Sequence, residues 1–300
     1  MITFDKNGEA VNYEMIVTGT KRNCGGGKTP WNTWVTCEEI EPTGQVYEVN
    51  PYVGKSSQKK TVLGGRGGNY ESFAYDSRDP KSPTFFVTND SNFGGLLRFT
   101  PDPLEVRKAL ETENYETLLS SPGTSEWLVL EPELNNRWAF GGRFRWTLNR
   151  NEGDRNAKQY YSYSEGIDVR SGLVFFTCKQ MNSLFILNLE DMTYTRESTR
   201  RGKFDGQPDT IARILAEDSR NEMLYFCEDG RQLCGIHARD KSGRYFSILE
   251  GQQFRGQETT GLAFSPDHKR MYVCFQDSGV MFEITRKDGY SFGADYISLR

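Results

Sequence analysis

The chain has 300 residues, with 37 Lys and Arg against 41 Asp and Glu and a formal net charge of −4. This composition is typical of a soluble globular protein that is large enough to bury a substantial core. The small acidic excess argues against nucleic-acid binding, because nucleic-acid grooves carry a surplus of positive charge. No run approaches the roughly 18 apolar residues that a membrane helix needs, so we expect no membrane insertion.

Cysteine and histidine are too sparse to suggest a familiar scaffold. Six cysteines in this length argue against a disulfide framework. Without a Cys-x-x-Cys pair, and with only two histidines, the chain cannot build a zinc site of the usual kind. Most cysteines lie in strand-like runs and are predicted core residues, although Cys37 stands beside two acids and is an alternative metal ligand. His237 and His268 lie among charged turn residues, and we expect both at the surface.

Short apolar runs recur in one order: a strand that ends in an acidic turn, a second strand, a loop and a third strand. Clear copies begin near residues 73, 166, 212 and 262, and a partial copy covers 34–50. The last three starts are about 46 to 50 residues apart, which is the length of a β-propeller blade. Because the first interval is nearly twice as long, we expect a degenerate copy within 104–150.

These repeats predict an all-β protein, a six-bladed β-propeller that occupies residues 1–300 as a single domain. A β-sandwich with irregular hairpins is the alternative. We expect a small, partly helical insertion around residues 103–160, in which 103–117 is the best candidate for a helix. The polar stretch 149–164 is predicted to be a mobile loop.

Acidic residues occupy the same position in successive copies. The first strand of a propeller blade is the innermost, so residues at its leading end line the axial channel. The acids before or at the start of first strands are Glu71, Glu165, Asp209 and Glu258. Further acids follow second strands: Glu38, Glu39, Asp90, Glu228 and Asp229. The repeat therefore predicts a ring of carboxylates around one axial pocket.

Such a ring needs positive charge, because like charges about 4 Å apart repel by roughly 4 kcal/mol at an effective dielectric constant near 20. Oxygen-rich cages suit calcium, whereas a thiolate in the same site favours a softer transition metal. For any single acid, a solvated turn residue is the alternative interpretation. The repeated position favours a metal cluster.

A glycine-rich run follows the first candidate thiol. Residues 25–29 resemble the end of a phosphate-binding P-loop, but the first glycine that such a loop requires would fall on Arg22. The residues that follow read as a turn and a strand, not as the helix that would hold a phosphate. We therefore reject a P-loop and keep Lys28 and Arg22 as candidate contacts for an anion.

Residues 23–39 carry a resemblance to a known family. They read Asn-Cys-Gly-Gly-Gly-Lys-Thr-Pro-Trp-Asn-Thr-Trp-Val-Thr-Cys-Glu-Glu, which is similar to the pattern Asn-Cys-x-Gly-Gly-x-Thr-Pro-Trp-Gly-Thr-Trp-Leu-Thr-Cys-Glu-Glu of PhoX alkaline phosphatases. The likeness continues at 44–51, 88–99, 165–166, 207–209 and 257–261. The resemblance implies a six-bladed propeller that carries iron and calcium at its axis and hydrolyses phosphomonoesters, with a small phosphorylated substrate as its partner.

The resemblance also implies roles for particular residues. Cys24 would be the thiolate ligand of iron. The carboxylate ligands would be Glu38, Glu39, Glu71, Glu165, Asp209, Glu228 and Glu258, and the repeat adds Asp90 and Asp229. The metals would bind phosphate oxygens, supply an oxide or hydroxide nucleophile and neutralise charge in the transition state.

Three positions depart from the family pattern. Tyr163 stands where the family usually has Arg, Tyr70 where it has His, and Thr210 where it has Asn. Loss of the Arg removes a bidentate contact to phosphate, for which Arg143, Arg145, Arg201 or Lys28 are candidate substitutes. We expect Glu165, Tyr163 and Lys28 at the catalytic centre, and the ligand set matches the family better than the substrate contacts do.

Two other functions stay open. A calcium-dependent lactone or ester hydrolase on a similar propeller predicts calcium alone and no role for Cys24. A non-catalytic metal-binding module is favoured by Tyr163 and Thr210. The resemblance implies a periplasmic or extracellular location, yet residues 1–6 lack the basic-then-apolar layout of a signal peptide. We expect a monomer.

Overall fold

The computed structural model describes residues 1–133, 139–201, 204–214, 223–230 and 233–293. They form antiparallel sheets with two α-helices. The chain divides into two compact units, the first comprising Met1–Phe176 with Phe185–Arg196 and the second Thr177–Leu184 with Glu197–Arg300. Among the described residues, neither helix is long and apolar enough to cross a bilayer. The mostly-β prediction is confirmed, whereas six blades and a single domain stay predictions.

The first unit begins with a small hairpin and then the sheet predicted around 34–50. The hairpin pairs β1 (Ile2–Phe4) with β2 (Ala10–Tyr13). The sheet contains β3 (Asn23–Lys28), β4 (Trp34–Gly44), β5 (Val46–Val49) and β6 (Lys59–Lys60). Each of these four strands pairs antiparallel with the next. The glycine-rich run therefore forms the first strand of this sheet.

The next copy forms a four-stranded meander. Its strands are β7 (Gly68–Asp76), β8 (Thr84–Asn89), β9 (Leu97–Pro101) and β10 (Gly123–Pro132). Alternate side chains of β7 to β9 enter one buried cluster that includes Phe73, Phe85, Val87 and Leu97. β7 also pairs with β4, with Glu39 opposite Asn69 and Gly44 opposite Gly68. The leading end of β7 is thereby held beside the acidic middle part of β4.

The long interval after residue 73 does not hide a separate sheet in the part of 104–150 that the structure describes. α1 (Pro103–Thr112), capped by Asp102, fills its start and confirms the helix predicted within 103–117. β10 then adds to β9, and β11 (Gly141–Thr147) pairs with β10. These strands extend neighbouring sheets, so the doubled spacing reflects inserted helices and a hairpin.

The remaining three copies follow the predicted three-strand order, and two of them add a fourth strand. One contains β12 (Ser164–Arg170), β13 (Leu173–Cys178), β14 (Ser183–Asn188) and β15 (Thr193–Ser198), and β15 pairs with β11. In the second unit, one sheet contains β16 (Gln207–Ile214), β17 (Met223–Asp229), β18 (Gly235–Asp240) and β19 (Tyr245–Glu250). The other contains β20 (Thr259–Phe264), β21 (Arg270–Phe275) and β22 (Val280–Thr285).

Short 3₁₀ helices occupy several connections. They are Gly54–Ser57, Val62–Gly64, Tyr115–Ser120, Thr199–Arg201 and Gln252–Phe254.

The prediction of a mobile loop at 149–164 is wrong, because α2 spans Arg150–Tyr160. Asn149 caps it by accepting from the N–H of Glu152 at 3.4 Å. The Asn156 side chain accepts from the N–H of Leu130 at 2.8 Å and donates to its carbonyl at 3.0 Å, which ties α2 to β10. The helix buries Gly153, Ala157 and, in its last turn, Tyr160. A buried face with a single large side chain leaves little periodic signal in the sequence.

We predict that Gly153→Ala destabilises the protein. A Cβ at this position would collide with the Cβ of Trp127, and overpacking costs about 1–3 kcal/mol, of which the better helix propensity of Ala returns about 1. The free energy of unfolding should fall by up to about 2 kcal/mol in urea titrations. Arg155→Ala, on the exposed side of the same helix, is the control and should change it by less than about 0.5 kcal/mol. Equal stability of both variants would contradict this packing.

Candidate metal centre

Five of the predicted site residues come together in the first unit, in two groups that share one carboxylate. The first group is Cys24, Glu39 and Glu71, and the second is Glu71, Asp90 and Glu165. Within each group, one ligand atom from each residue lies within 4.8 Å of the other two. Glu71 is therefore in position to bridge two cations.

The strand ends account for this convergence. Cys24 lies on β3, Glu39 on β4, Glu71 on β7 and Glu165 on β12, and Asp90 directly follows β8. Cys24 and Glu71 approach until the thiol donates to Glu71 Oε1 at 2.9 Å.

The glycine after Cys24 permits this approach. A Cβ at Gly25 would stand 2.6 Å from Ser72 Oγ and 2.7 Å from the carbonyl oxygen of Glu71. Neither distance is sterically possible for a real side chain, so the close packing of β3 on β7 depends on glycine here. The glycine-rich run is thus explained by the metal-type site and not by a nucleotide.

Burial makes the charge of these groups costly. Glu71 and Glu165 are each 1% exposed, and Cys24, Glu39 and Asp90 are half-buried. An ionised carboxylate in such surroundings loses several kcal/mol of hydration, which a nearby cation must offset. Arg22 approaches Glu39 at 3.5 Å, but its side chain is 68% exposed and the attraction is screened by water. Carboxylate oxygens with one thiolate form a donor set that suits a metal ion.

An asparagine links the two groups and was not identified from the sequence. Asn69 Nδ2 donates to the carbonyl oxygen of Asp90 at 2.6 Å and to Glu39 Oε1 at 3.3 Å. Asn69 thereby orients one acid of each group. The sequence could have indicated Asn69 by its position two residues before Glu71, at the leading end of a first strand.

The structure does not bring Glu38 to either group. Consecutive residues of a strand point to opposite faces, so Glu38 and Glu39 cannot both face the acids. The two oxygens of Glu38 accept instead from the backbone N–H groups of Lys21 at 2.7 Å and Gln45 at 3.0 Å. Its position points to a structural role in the middle of β4.

Glu228 repeats this arrangement in the second unit. One oxygen accepts from the N–H of Gly206 at 2.6 Å, and the other lies 2.8 Å from His237 Nε2. Asn23 is opposite Glu38 and Pro208 is opposite Glu228, so Lys21 and Gly206 occupy equivalent places. His237 is fully buried, and the expectation that it lies at the surface is wrong. The sequence missed it because the charged Arg239 and Asp240 follow it closely on β18.

The other predicted acids of the second unit form their own cluster. Asp229 forms an isolated backbone bridge with Glu258, and Lys179 Nζ lies 3.8 Å from Asp229 Oδ2. Burial, followed by the hydrogen bond and charge of Asp209, raises the pKa of Glu258 to about 8. Among the described residues of this unit, the cluster does not reach the three-ligand proximity found in the first unit.

Three other residues named in the sequence analysis, Lys28, Tyr163 and Cys37, belong to neither group. Lys28 stands at the far end of β3, exposed and about 13 Å along the strand from Cys24, so the structure does not place it at the centre. Tyr163 directly precedes β12, two residues before Glu165, with a left-handed φ of 59° and its N–H donating to the Ser91 carbonyl at 3.0 Å. Cys37 is fully buried in the apolar cluster that contains Phe73.

The candidate substitutes for the family arginine differ in whether their charge is already paired. Arg145 is paired with Glu131 at 3.0 Å and Glu152 at 2.5 Å. Arg143 is exposed on β11, and the side chain of Arg201 lies outside the described residues.

The fold and the donor set define a mostly-β protein of antiparallel sheets with a carboxylate and thiolate metal-type site. The sequence model of the family Alkaline phosphatase PhoX matches residues 6–44. The structure is similar to Pseudomonas fluorescens PhoX in complex with vanadate, a transition state analogue, at a TM-score of 0.68 and 17% identity over 93% of this chain and 72% of that one. The family model covers the segment that carries the sequence resemblance, and the structural likeness shows a similar fold.

A more distant structural likeness concerns the fold alone. The PQQ-bound aldose sugar dehydrogenase of Streptomyces coelicolor matches at a TM-score of 0.50 and 11% identity, over 93% of this chain and 81% of that one. A search of curated protein sequences finds no match to this chain.

Thiol labelling tests the environment of Cys24. Iodoacetamide reacts with thiolates, and burial raises the pKa of the Cys37 and Cys227 thiols well above the ordinary value. At pH 8 we expect labelling of the half-buried Cys24 and Cys274 and protection of Cys37, Cys178, Cys227 and Cys234. Iron should then slow the labelling of Cys24 at least tenfold and leave Cys274 unchanged, as read by mass spectrometry of peptides. Equal protection of both thiols would contradict a ligand role for Cys24.

Proposed function

We propose that this protein is a metal-dependent phosphoesterase that hydrolyses phosphomonoesters with an iron and calcium centre. The observation that carries the proposal is the pair of three-ligand groups that share the buried Glu71. The PhoX-like fold supports the reaction class. The likeness to a PhoX structure that contains vanadate, an analogue of the phosphoryl transition state, supports a phosphoryl substrate.

The donor set decides which ions suit which residues. The Cys24 thiolate with Glu39 and Glu71 suits iron, because sulfur is a soft ligand. The purely carboxylate group of Glu71, Asp90 and Glu165 suits calcium, which takes only hard oxygen ligands. When bound, such metals polarise the phosphoryl oxygens and lower the pKa of a coordinated water.

The chain's own residues hold and orient this centre. Asn69 fixes Glu39 and the backbone at Asp90. The burial of Glu71 and Glu165 excludes water and strengthens every charge interaction at the centre. Tyr163 lies two residues before Glu165, where its hydroxyl would offer the substrate a neutral hydrogen bond in place of the family's arginine. In the second unit, Asp209 and Glu258 would offer calcium ligands as the resemblance implies, and Asp229 as the repeat predicts.

The two other candidate functions differ in specific features. The contact of Cys24 with Glu71 favours a centre that uses the thiol over a calcium-only hydrolase. A non-catalytic metal-binding module is favoured by the neutral Tyr163, since it supplies no charge to phosphate. Turnover of an aryl phosphate distinguishes the proposed phosphoesterase from both alternatives.

Replacement of Glu71 tests the proposal against a neighbouring carboxylate. Glu71→Gln removes the ligand common to both groups, and we expect a loss on the order of 100-fold in kcat/KM for phenyl phosphate together with lower iron and calcium content. Chelation of the wild-type protein should have the same effect.

Glu38→Gln is the matched control. Glu38 is also a glutamate, but it accepts hydrogen bonds from two backbone N–H groups. Its replacement should therefore keep the metal content and cost about 1–3 kcal/mol of unfolding free energy. A metal-loaded wild type without hydrolysis at any pH, or a Glu38→Gln variant that loses metal as fully as Glu71→Gln, would contradict the proposal.

A further inference from the structure

The first unit contains a cavity of about 440 Å³ that is separate from the metal-type groups. None of the described residues that line it belongs to either group. Its lining comes from the 3₁₀ helix Val62–Gly64 and the residues after it, from strands β7 to β10 and from the beginning of α2. The volume is in the range of pockets that hold small organic ligands. The cavity is therefore a candidate binding site in its own right.

Part of the lining belongs to an apolar core. Leu63, Tyr70 and Leu97 are buried members of the cluster that contains Phe73, and Trp127 packs against the same cluster. These four side chains also line the cavity. The half-buried indole of Trp127 offers a surface on which another aromatic ring gains more than its buried area alone provides. This part of the lining therefore suits a flat apolar group.

The lining also carries positive charge. Arg66 and Arg150 both line the cavity, and none of its described lining residues is acidic. Arg150 is held by the Gly67 carbonyl at 2.9 Å and lies 3.4 Å from Asp154, which offsets part of its charge. Arg66 is exposed and makes no hydrogen bond or ion pair within the residues that the structure describes. Its guanidinium is therefore available to an anionic ligand.

The beginning of α2 adds to this preference for an anion. Asn151 lies in the first turn of the helix and lines the cavity. The N-terminus of a helix carries a partial positive charge that attracts anions. The helix and Arg66 therefore favour the same sign of charge in a ligand.

A buried amide in the lining gives an independent indication of a ligand. Asn89 is 5% exposed and lines the cavity. Its backbone N–H and carbonyl both bond the Ser164 hydroxyl at 3.2 Å. Its side-chain amide, by contrast, bonds none of the described residues, and Oδ1 is buried without a partner. Because buried amides in native proteins are nearly always paired, this one points to a missing partner.

We propose that the cavity binds a flat organic carboxylate. Trp127 and the apolar core favour the ring, while Arg66 and the α2 N-terminus favour the carboxylate, which can also accept from the Asn89 amide. The inference goes beyond the proposed phosphoesterase function and does not depend on it, because the metal-type groups contribute nothing to the lining.

Fluorine nuclear magnetic resonance with two matched probes tests the ligand class on the protein as purified. 4-Fluorobenzoate has the ring and the carboxylate, whereas 4-fluorobenzyl alcohol has the ring without the charge. We expect saturable binding of 4-fluorobenzoate below about 10 mM, and at least about tenfold weaker binding of the alcohol. A chelator should leave both results unchanged. Absence of saturation, equal binding of the two probes or loss of binding with the chelator would overturn the proposal.

Two variants in different segments test whether the carboxylate binds in this cavity. Arg66→Ala removes the available charge and should weaken 4-fluorobenzoate binding about tenfold. Asn151→Asp places a negative charge in the lining, in a helical turn that favours an acid, and should weaken it about fivefold. Arg107→Ala, at an exposed arginine on α1 of the same unit, is the charge-matched control and should change it less than about twofold. If either Arg66→Ala or Asn151→Asp binds 4-fluorobenzoate as tightly as the wild type, the proposal is wrong.

Discussion

The burial of Glu71 is the constraint on which the account of this protein depends. Its side chain is 1% exposed, within 4.8 Å of acids from three other strands or strand ends and in contact with the Cys24 thiol. Several anions at that spacing are stable in a protein interior only beside compensating positive charge. The glycine after Cys24 lets β3 pack closely on β7, and the Asn69 amide orients Glu39 and the backbone at Asp90. Both features bring the donor atoms together around Glu71.

The consecutive acids of β4 perform two different tasks. In the pair Glu38 and Glu39, the first bonds backbone N–H groups and the second faces the thiol. Glu228 repeats the structural part of this arrangement, with His237 and Gly206 as partners. The alternation of side chains along a strand imposes this division, because adjacent residues cannot reach the same space.

The sequence predicted the strands well, because alternating apolar runs and turn residues carry a strong periodic signal. The repeat also identified Glu71, Asp90 and Glu165, which the structure brings together. It could not separate Glu38 from Glu39, since repeat position does not specify the face of a strand. α2 was missed because Tyr160 is the one large side chain among its buried residues. Asn69 carries no motif, and its bonds to Glu39 and to the Asp90 carbonyl join segments distant in sequence.

Anomalous X-ray diffraction above the iron absorption edge tests the central claim most directly, on crystals of protein purified without chelators. The account predicts a peak at bonding distance, about 2.0–2.6 Å, from both Cys24 Sγ and the Glu71 carboxylate. The thiol would then no longer donate to Glu71. An iron-supplied crystal with no peak there, in which Cys24 still donates to Glu71 at 2.9 Å, would contradict the account.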